Sequence, residues 1–263
     1  MGTTVFFTAD DGSSGNELWK SDGTPGGTVQ VRDIAPGAPS SSPTSLVEMG
    51  GTLYFIADDG TSGQELWRSD GTPAGTSLVK DIAAGAAASY ITSMTVMNGS
   101  LYFFVGLGSS GQSLWKSDGT SAGTVAVAPV GTLAELLTPV QDTLFFRAND
   151  GSTGMELWKS DGTAAGTTRL TDIAPGSTGS LPSDLTAVGS TLFFTASDGT
   201  STAHLWKSDG TAAGTVIVKV INADPAHPVP DQLRAMGGAL YFRADDGVAG
   251  QELWKSDGTA AGT

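Results

Sequence analysis

The chain contains no cysteine, which excludes disulfides, thiol nucleophiles and zinc–thiolate centres. Histidine is nearly as scarce. His204 and His227 are the two present, too few for a histidine-rich metal centre, and neither belongs to a recognisable nucleophile–base arrangement. No stretch approaches the roughly 18 apolar residues of a membrane span, and the opening MGTTVFFTADDG has neither a basic n-region nor an apolar h-region. Cationic residues are few as well: 13 Lys and Arg stand against 27 Asp and Glu, a net charge of −14. That excess repels phosphate backbones and anionic lipid, so neither a nucleic-acid partner nor membrane insertion is expected. Sustained 3.6-residue apolar periodicity is also missing, and helix should be nearly absent.

What the chain has is a repeat. LWKSDGT, or a near copy, occurs six times, and the six tryptophans, Trp19, Trp67, Trp115, Trp158, Trp206 and Trp254, are spaced by 48, 48, 43, 48 and 48 residues. Periods of 20 to 50 residues mark solenoids, propellers or arrays. One full unit reads as four short strands, here lettered A to D. SPTSLVEMG (Ser42 to Gly50) is strand A, TLYFIA (Thr52 to Ala57) strand B, QELWRS (Gln64 to Ser69) strand C and SLVKDI (Ser77 to Ile82) strand D. Gly-Gly, DDGTSG and DGTPAGT supply the turns between them,.

Four-stranded antiparallel units of this length, repeated radially, predict an all-β chain folded as a β-propeller. One tryptophan per unit, mid-strand on strand C, is the ring expected to fill the wedge between adjacent blades. The chain opens at strand B and closes after strand C, so it holds six B and six C strands but five A and five D. The expectation is a single domain over residues 1–263, six-bladed with an incomplete first and last blade. A five-bladed ring with a spare hairpin is the alternative, and oligomerisation through the open terminal blades would satisfy their edges.

The recurrent ELWKSDGTAAGT, within the longer frame LYFxADDGxxGxELWxSDGTxxGTxxVKDI, resembles the bacterial ELWxxDGT repeat proteins across the whole chain. The strongest copies lie at Leu53 to Ile82 and Leu240 to Thr263. The resemblance implies a propeller-type repeat and an extracellular or cell-surface parent protein. It implies no particular activity.

In such a blade the B–C and D–A connections share one face. There the sequence gathers acids: Asp10, Asp11, Glu17 and Asp33 in the first unit, Asp58, Asp59, Glu65 and Asp81 in the second, and Asn149, Asp150, Glu156 and Asp172 in the fourth. Three or four hard oxygen ligands beside a glycine-rich loop suit Ca²⁺. No other cofactor is implied. The competing reading is that Asp-Gly makes the turn and that the acids pair with Lys20, Arg32 or Lys80. The third unit has VGLGSSGQS with Ser113 for the glutamate, and the fifth has Ser197 and His204; these two should not hold an ion. The SDGTxxGT turn, nearly invariant, suits a structural role.

Acids repeated from blade to blade fit multivalent binding better than catalysis, which requires two specific carboxylates at a fixed separation. The functional expectation is therefore a non-catalytic binding module for a glycan or protein ligand at the B–C/D–A face. A structural or adhesive spacer in a larger surface protein is the alternative.

Overall fold

The structure, a computed structural model, describes residues 4–108, 111–200, 202–224, 226–227 and 229–263. Ser109 and Ser110 of the third B–C loop, and Pro225 and Pro228 of the proline-rich loop around His227, lie outside the described residues. The sheets are six successive antiparallel blades, and among the described residues there is no α-helix.

Blade 1 holds β1 (Val5–Asp10), β2 (Asn16–Ser21) and β3 (Val29–Arg32), which are strands B, C and D. Blade 2 holds β4 (Thr44–Met49), β5 (Thr52–Asp58), β6 (Gln64–Ser69) and β7 (Ser77–Lys80). Blade 3 holds β8 (Thr92–Met97), β9 (Ser100–Gly106), β10 (Gln112–Ser117) and β11 (Val125–Gly131). In blade 4 the strands are β12 (Leu133–Val140), β13 (Thr143–Asn149), β14 (Met155–Ser160) and β15 (Thr168–Arg169). Those of blade 5 are β16 (Ser183–Val188), β17 (Thr191–Ser197), β18 (Ala203–Ser208) and β19 (Val216–Lys219). Blade 6 has strands A, B and C: β20 (Asp231–Met236), β21 (Ala239–Asp245) and β22 (Gln251–Ser256). Six blades, the first and last three-stranded, are what the strand count predicts; the five-bladed alternative falls. The chain divides into two compact units, residues 1–126 and 127–263, with the division inside β11.

The 43-residue interval has a simple origin. In blade 3 the D–A loop is missing, because β11 runs on to Gly131 and β12 begins at Leu133. Strand A is bulged in every blade whose A–B register is resolved, as between Thr44 and Val47 or Asp231 and Arg234. Ser45, Ser93, Leu136, Asp184 and Gln232 sit at that position with φ of 52–63°, which bends the strand and increases its twist.

Within each unit the core lies between neighbouring blades. Leu18, Val31 and Ile34 of blade 1 pack on Leu53, Phe55 and Trp67 of blade 2. Trp115 of blade 3 joins the cluster of Tyr54, Leu66 and Val79. In the second unit Trp206 packs on Leu157 and Leu170 of blade 4, and Trp254 on Leu205 and Val218 of blade 5. Trp158, Trp206 and Trp254 also stack on the phenylalanine opposite them on strand B, Phe146, Phe194 and Phe242, with centroids 6.2–6.3 Å apart. The wedge role expected of the tryptophans is thus realised at Trp67, Trp115, Trp206 and Trp254, and truncating Trp67 or Trp206 to Ala should cost about 3–5 kcal/mol.

Cations join the same blade pairs. Lys20 Nζ donates to the Gly71 carbonyl at 2.7 Å, Lys159 to Gly210 at 2.7 Å and Lys207 to Gly258 at 2.8 Å, while Arg68 reaches Gly119 at 3.1 Å. A second row runs from the end of strand D: Arg32 to Thr76, Lys80 to Thr124 and Lys219 to Thr263. Lys20, Arg32 and Lys80 therefore serve backbone carbonyls of the following blade, where the sequence suggested carboxylate partners.

Candidate functional site

Two repeated loop motifs carry aspartates whose hydrogen bonds are local. In the C–D turn, Asp22 Oδ1 accepts from the Thr24 N–H and hydroxyl, Thr24 Oγ1 accepts from Gly27 N, and Ser21 Oγ meets Thr28 Oγ1 at 2.7 Å. Gly27 is obligatory, since a Cβ there would fall 1.9 Å from the Asp22 carboxylate. These bonds hold the Asp22 carboxyl below the ordinary aspartate value, the Thr24 hydroxyl first among them. The motif makes a turn and offers its glycine carbonyl to the preceding blade.

The B–C loop is an Asx turn. Asp10 accepts from Gly12 N at 2.7 Å, and Asp11 from Ser13 N and Ser14 N at 2.8 and 3.0 Å. Asp58 and Asp59 repeat the arrangement with Gly60, Thr61 and Ser62, and Asn149 and Asp150 with Gly151, Ser152 and Thr153. The Ser13 hydroxyl bond leads the causes that bring the Asp11 carboxyl down to about 2, and the Thr153 amide leads for Asp150, also at about 2.

The glutamates go elsewhere. Glu17, Glu65 and Glu156 have no solvent exposure, and each caps the D–A loop of its own blade. Glu156 accepts from the amides of Ile173, Ala174 and Ser180 at 3.1, 3.3 and 2.9 Å and from the Ser180 hydroxyl at 2.7 Å. Glu17 does the same with Ile34, Ala35 and Ser41, and Glu65 accepts from Ile82 and Ala83, both at 3.0 Å. The serine then passes the contact on: Asp58 N donates to Ser41 O at 3.0 Å, and Ser197 N to Ser180 O at 2.9 Å. A buried carboxylate thus fixes a loop that touches the next blade. Burial outweighs the donors and raises the Glu65 and Glu156 carboxyls above the ordinary glutamate value.

The loop comes so close that the residue two before the glutamate must be glycine. A Cβ on Gly63 would lie 2.4 Å from Ala87 O, and one on Gly154 2.4 Å from Gly179 N.

The other acids of the expected calcium centre are also engaged in local bonds. Asp33 accepts from Gly37 N at 3.1 Å, Asp81 from Gly85 N at 3.0 Å, and Asp172 pairs with Arg169 at 3.4 Å. The acids Asp10, Asp11, Glu17 and Asp33 share a face without converging, as do Asp58, Asp59, Glu65 and Asp81, and Asn149, Asp150, Glu156 and Asp172. Among the described residues no group of three or more His, Asp or Glu side chains is disposed to hold a metal ion. Their oxygens are turned onto backbone amides and neighbouring hydroxyls, which a cation would have to displace,.

Blade 5 departs from the scheme. His204, buried, stands where the glutamate would, and Thr202 where the close-approach glycine would. The Thr202 hydroxyl lies 3.5 Å from His204 Nε2. His227 is half-buried on the D–A connection, with Nδ1 3.5 Å from Asp224.

Beside this altered loop is a cleft of about 480 Å³. Its walls are the D–A loop of blade 4, including Ala174, Pro175, Gly179 and Leu181, and the B–C loop of blade 5, including Ser197, Thr200 and Thr202. Ser180, held by Glu156, also lines it. The volume is in the range of small-ligand sites. Among the described residues no charged side chain lines it, and Leu181, 55% exposed with φ of 51°, stands at its edge.

The serines Ser41, Ser89 and Ser180 went unnoticed in the sequence, although each lies 24 residues after its glutamate. That in-chain pairing was the available signal. At the same distance from Ser113 and His204 stand Leu137 and Pro228.

No family model matches the chain, and no curated protein matches it either. Solved structures do. TolB from Acinetobacter baumannii superposes with a TM-score of 0.50 at 13% identity, over 97% of this chain and 62% of that one. The β-propeller domain of the Trilobed protease from Pyrococcus furiosus gives 0.56 at 10% identity, over 98% and 80%. Oligopeptidase B from Leishmania major gives 0.61 at 11% identity, over 100% and 40%. The chain thus spans less than two thirds of TolB and less than half of the oligopeptidase. At such identities the likeness establishes the fold, and the chain is a β-propeller.

Proposed function

We propose that the chain is a non-catalytic binding module whose ligand, a glycan or an uncharged segment of a protein, lies in the cleft between the D–A loop of blade 4 and the B–C loop of blade 5. The observation that carries this reading is the cleft itself, placed where the repeat gives up its glycine and its glutamate. Hydroxyls of Ser197, Thr200 and Thr202, backbone amide groups and the apolar edge at Leu181 suit a neutral ligand rich in hydroxyl or amide groups,. The resemblance to ELWxxDGT repeat proteins supports an extracellular or surface setting for it.

Glycan arrays and pull-downs on the folded chain test the proposal, with Thr200→Arg and Leu181→Arg as paired variants. Both positions are exposed, so the fold should survive and binding should fall at least about tenfold through steric block. Binding that both variants retain at full strength would move the ligand elsewhere.

A second reading, a structural spacer, is favoured by the Lys–carbonyl ties between blades. It predicts no saturable ligand on either platform.

A further inference from the structure

Resting on the cleft reading above, we infer that the ligand is a neutral saccharide held mainly by hydroxyl hydrogens that it donates itself, with Thr200 as a specificity-determining residue. The reason is a shortage of donors on the cleft walls. A hydroxyl has one hydrogen and two lone pairs, and most of the hydrogens here are already committed within the chain. Ser180 donates to Glu156 at 2.7 Å and Ser197 to the Thr200 carbonyl at 2.9 Å. The Thr200 hydroxyl donates to Asp198 and is the first cause that holds that carboxyl below the ordinary aspartate value. Of the five hydroxyls lining the cleft, at most those of Thr178 and Thr202 keep a hydrogen for a ligand. Main-chain donors are committed as well. The amides of Ala174 and Ser180 serve Glu156, those of Leu181 and Ser197 serve the Met155 and Ser180 carbonyls, and those of Gly199 and Thr200 serve the Ser197 hydroxyl and Asp198.

What the walls keep is lone pairs. A hydroxyl whose hydrogen points at a carboxylate is the stronger acceptor for it, and Ser180 and Thr200 are both of this kind. A peptide suits such walls badly, because each of its residues brings a carbonyl that would lose water here without gaining a donor. Nor is a strand edge open to it: the segment Gly179–Leu181 is already paired on both sides, Leu181 N with Met155 O and Ser180 O with Ser197 N,. A sugar hydroxyl, by contrast, can rotate to donate into the wall and turn its own lone pairs outward. Pro175 and Leu181 supply apolar surface for the C–H face of the ring. Charged ligands are disfavoured, since among the described residues no charged side chain lines the cleft, and an ammonium or carboxylate would be desolvated without a partner.

The test is calorimetric titration of the whole chain with neutral oligosaccharides chosen on a glycan array, each alongside its deoxyfluoro analogues, in which a hydroxyl loses its hydrogen and a small electronegative atom remains. Saturable binding of the parent sugar is expected, with at least one analogue weaker by about tenfold or more. Thr200→Val removes the acceptor and keeps the shape, so it should weaken binding by about tenfold, while Thr200→Ser should retain it. Position 200 is exposed, and both variants should melt with the parent. Analogues that all bind like the parent sugar, or undiminished binding by Thr200→Val, would overturn the inference. If every saccharide is silent and a neutral acetylated Ser-Gly peptide binds and is blocked by Leu181→Arg, the inference falls and the cleft reading stands. Silence of saccharides and peptide alike would bring down both.

Discussion

Blades 4 and 5 share four strands, the same C–D turn and the same tryptophan–phenylalanine stack, yet they treat their D–A connections in opposite ways. In blade 4 the loop is drawn onto Glu156 through three amides and a hydroxyl, and Gly154 lets it approach. In blade 5, His204 and Thr202 occupy those positions. The strands build the blade irrespective of the loop, so the latch is a separable device. Where it is kept, the loop is tied to its own blade; in blade 5, where it is dropped, the B–C loop instead forms one wall of the cleft, facing the latched loop of blade 4.

The sharpest way to break this comparison is to remove the carboxylate. Glu156→Ala leaves three buried amides without an acceptor and should cost about 3–5 kcal/mol by chemical denaturation. A loss below about 1 kcal/mol would mean the latch is decorative. The reverse experiment is His204→Glu, which installs the acid without its serine. Because the site is buried, the unpaired carboxylate should destabilise by about 2–3 kcal/mol at neutral pH. If the variant is neutral, the acid alone recruits a loop. Next comes Gly154→Ala, whose Cβ would press on Gly179; it should cost about 2 kcal/mol, against about 1 kcal/mol for Gly60→Ala, which has a similar positive φ of 80° but open space,.

Acid–base behaviour gives a smaller contrast. Glu65 and Glu156 are raised by burial above the ordinary 4.5, so their contribution is complete below that value and is lost as pH rises through the folded one. The Asp11 and Asp150 carboxyls, at about 2, work oppositely: their contribution holds above the ordinary 3.8 and is lost as pH falls toward 2. Denaturation midpoints for the Glu65→Gln, Glu156→Gln pair should therefore lose the decline with rising pH and keep the acid limb. The smallest expected effect is that of calcium: melting in millimolar CaCl2 and in chelator should agree within error, because the acids of blades 1, 2 and 4 do not converge.

The blades were legible because tryptophan spacing and turn chemistry are local signals, while the short interval showed that the third unit is five residues shorter without showing where. The latch was much less so. Glu156 bonds to backbone amides 17 to 24 residues away, and amides have no residue type to read. Adjacent aspartates beside a glycine look alike whether they turn a chain or bind an ion; only the direction of their oxygens decides, and that depends on the hydrogen bonds of the Asx turn. The cleft escaped for a related reason, since two loops distant in sequence frame it. What could have been read was the joint departure of Gly and Glu in the fifth repeat.

At least seven of the 13 cationic side chains, Lys20, Arg32, Arg68, Lys80, Lys159, Lys207 and Lys219, are committed to uncharged carbonyl oxygens of the succeeding blade. Few remain to neutralise the surface acids, whose mutual repulsion dissolved electrolyte would damp, while short, sheltered ammonium–dipole ties are screened far less. Added salt should therefore relieve the surface repulsion while leaving these seven ties in place.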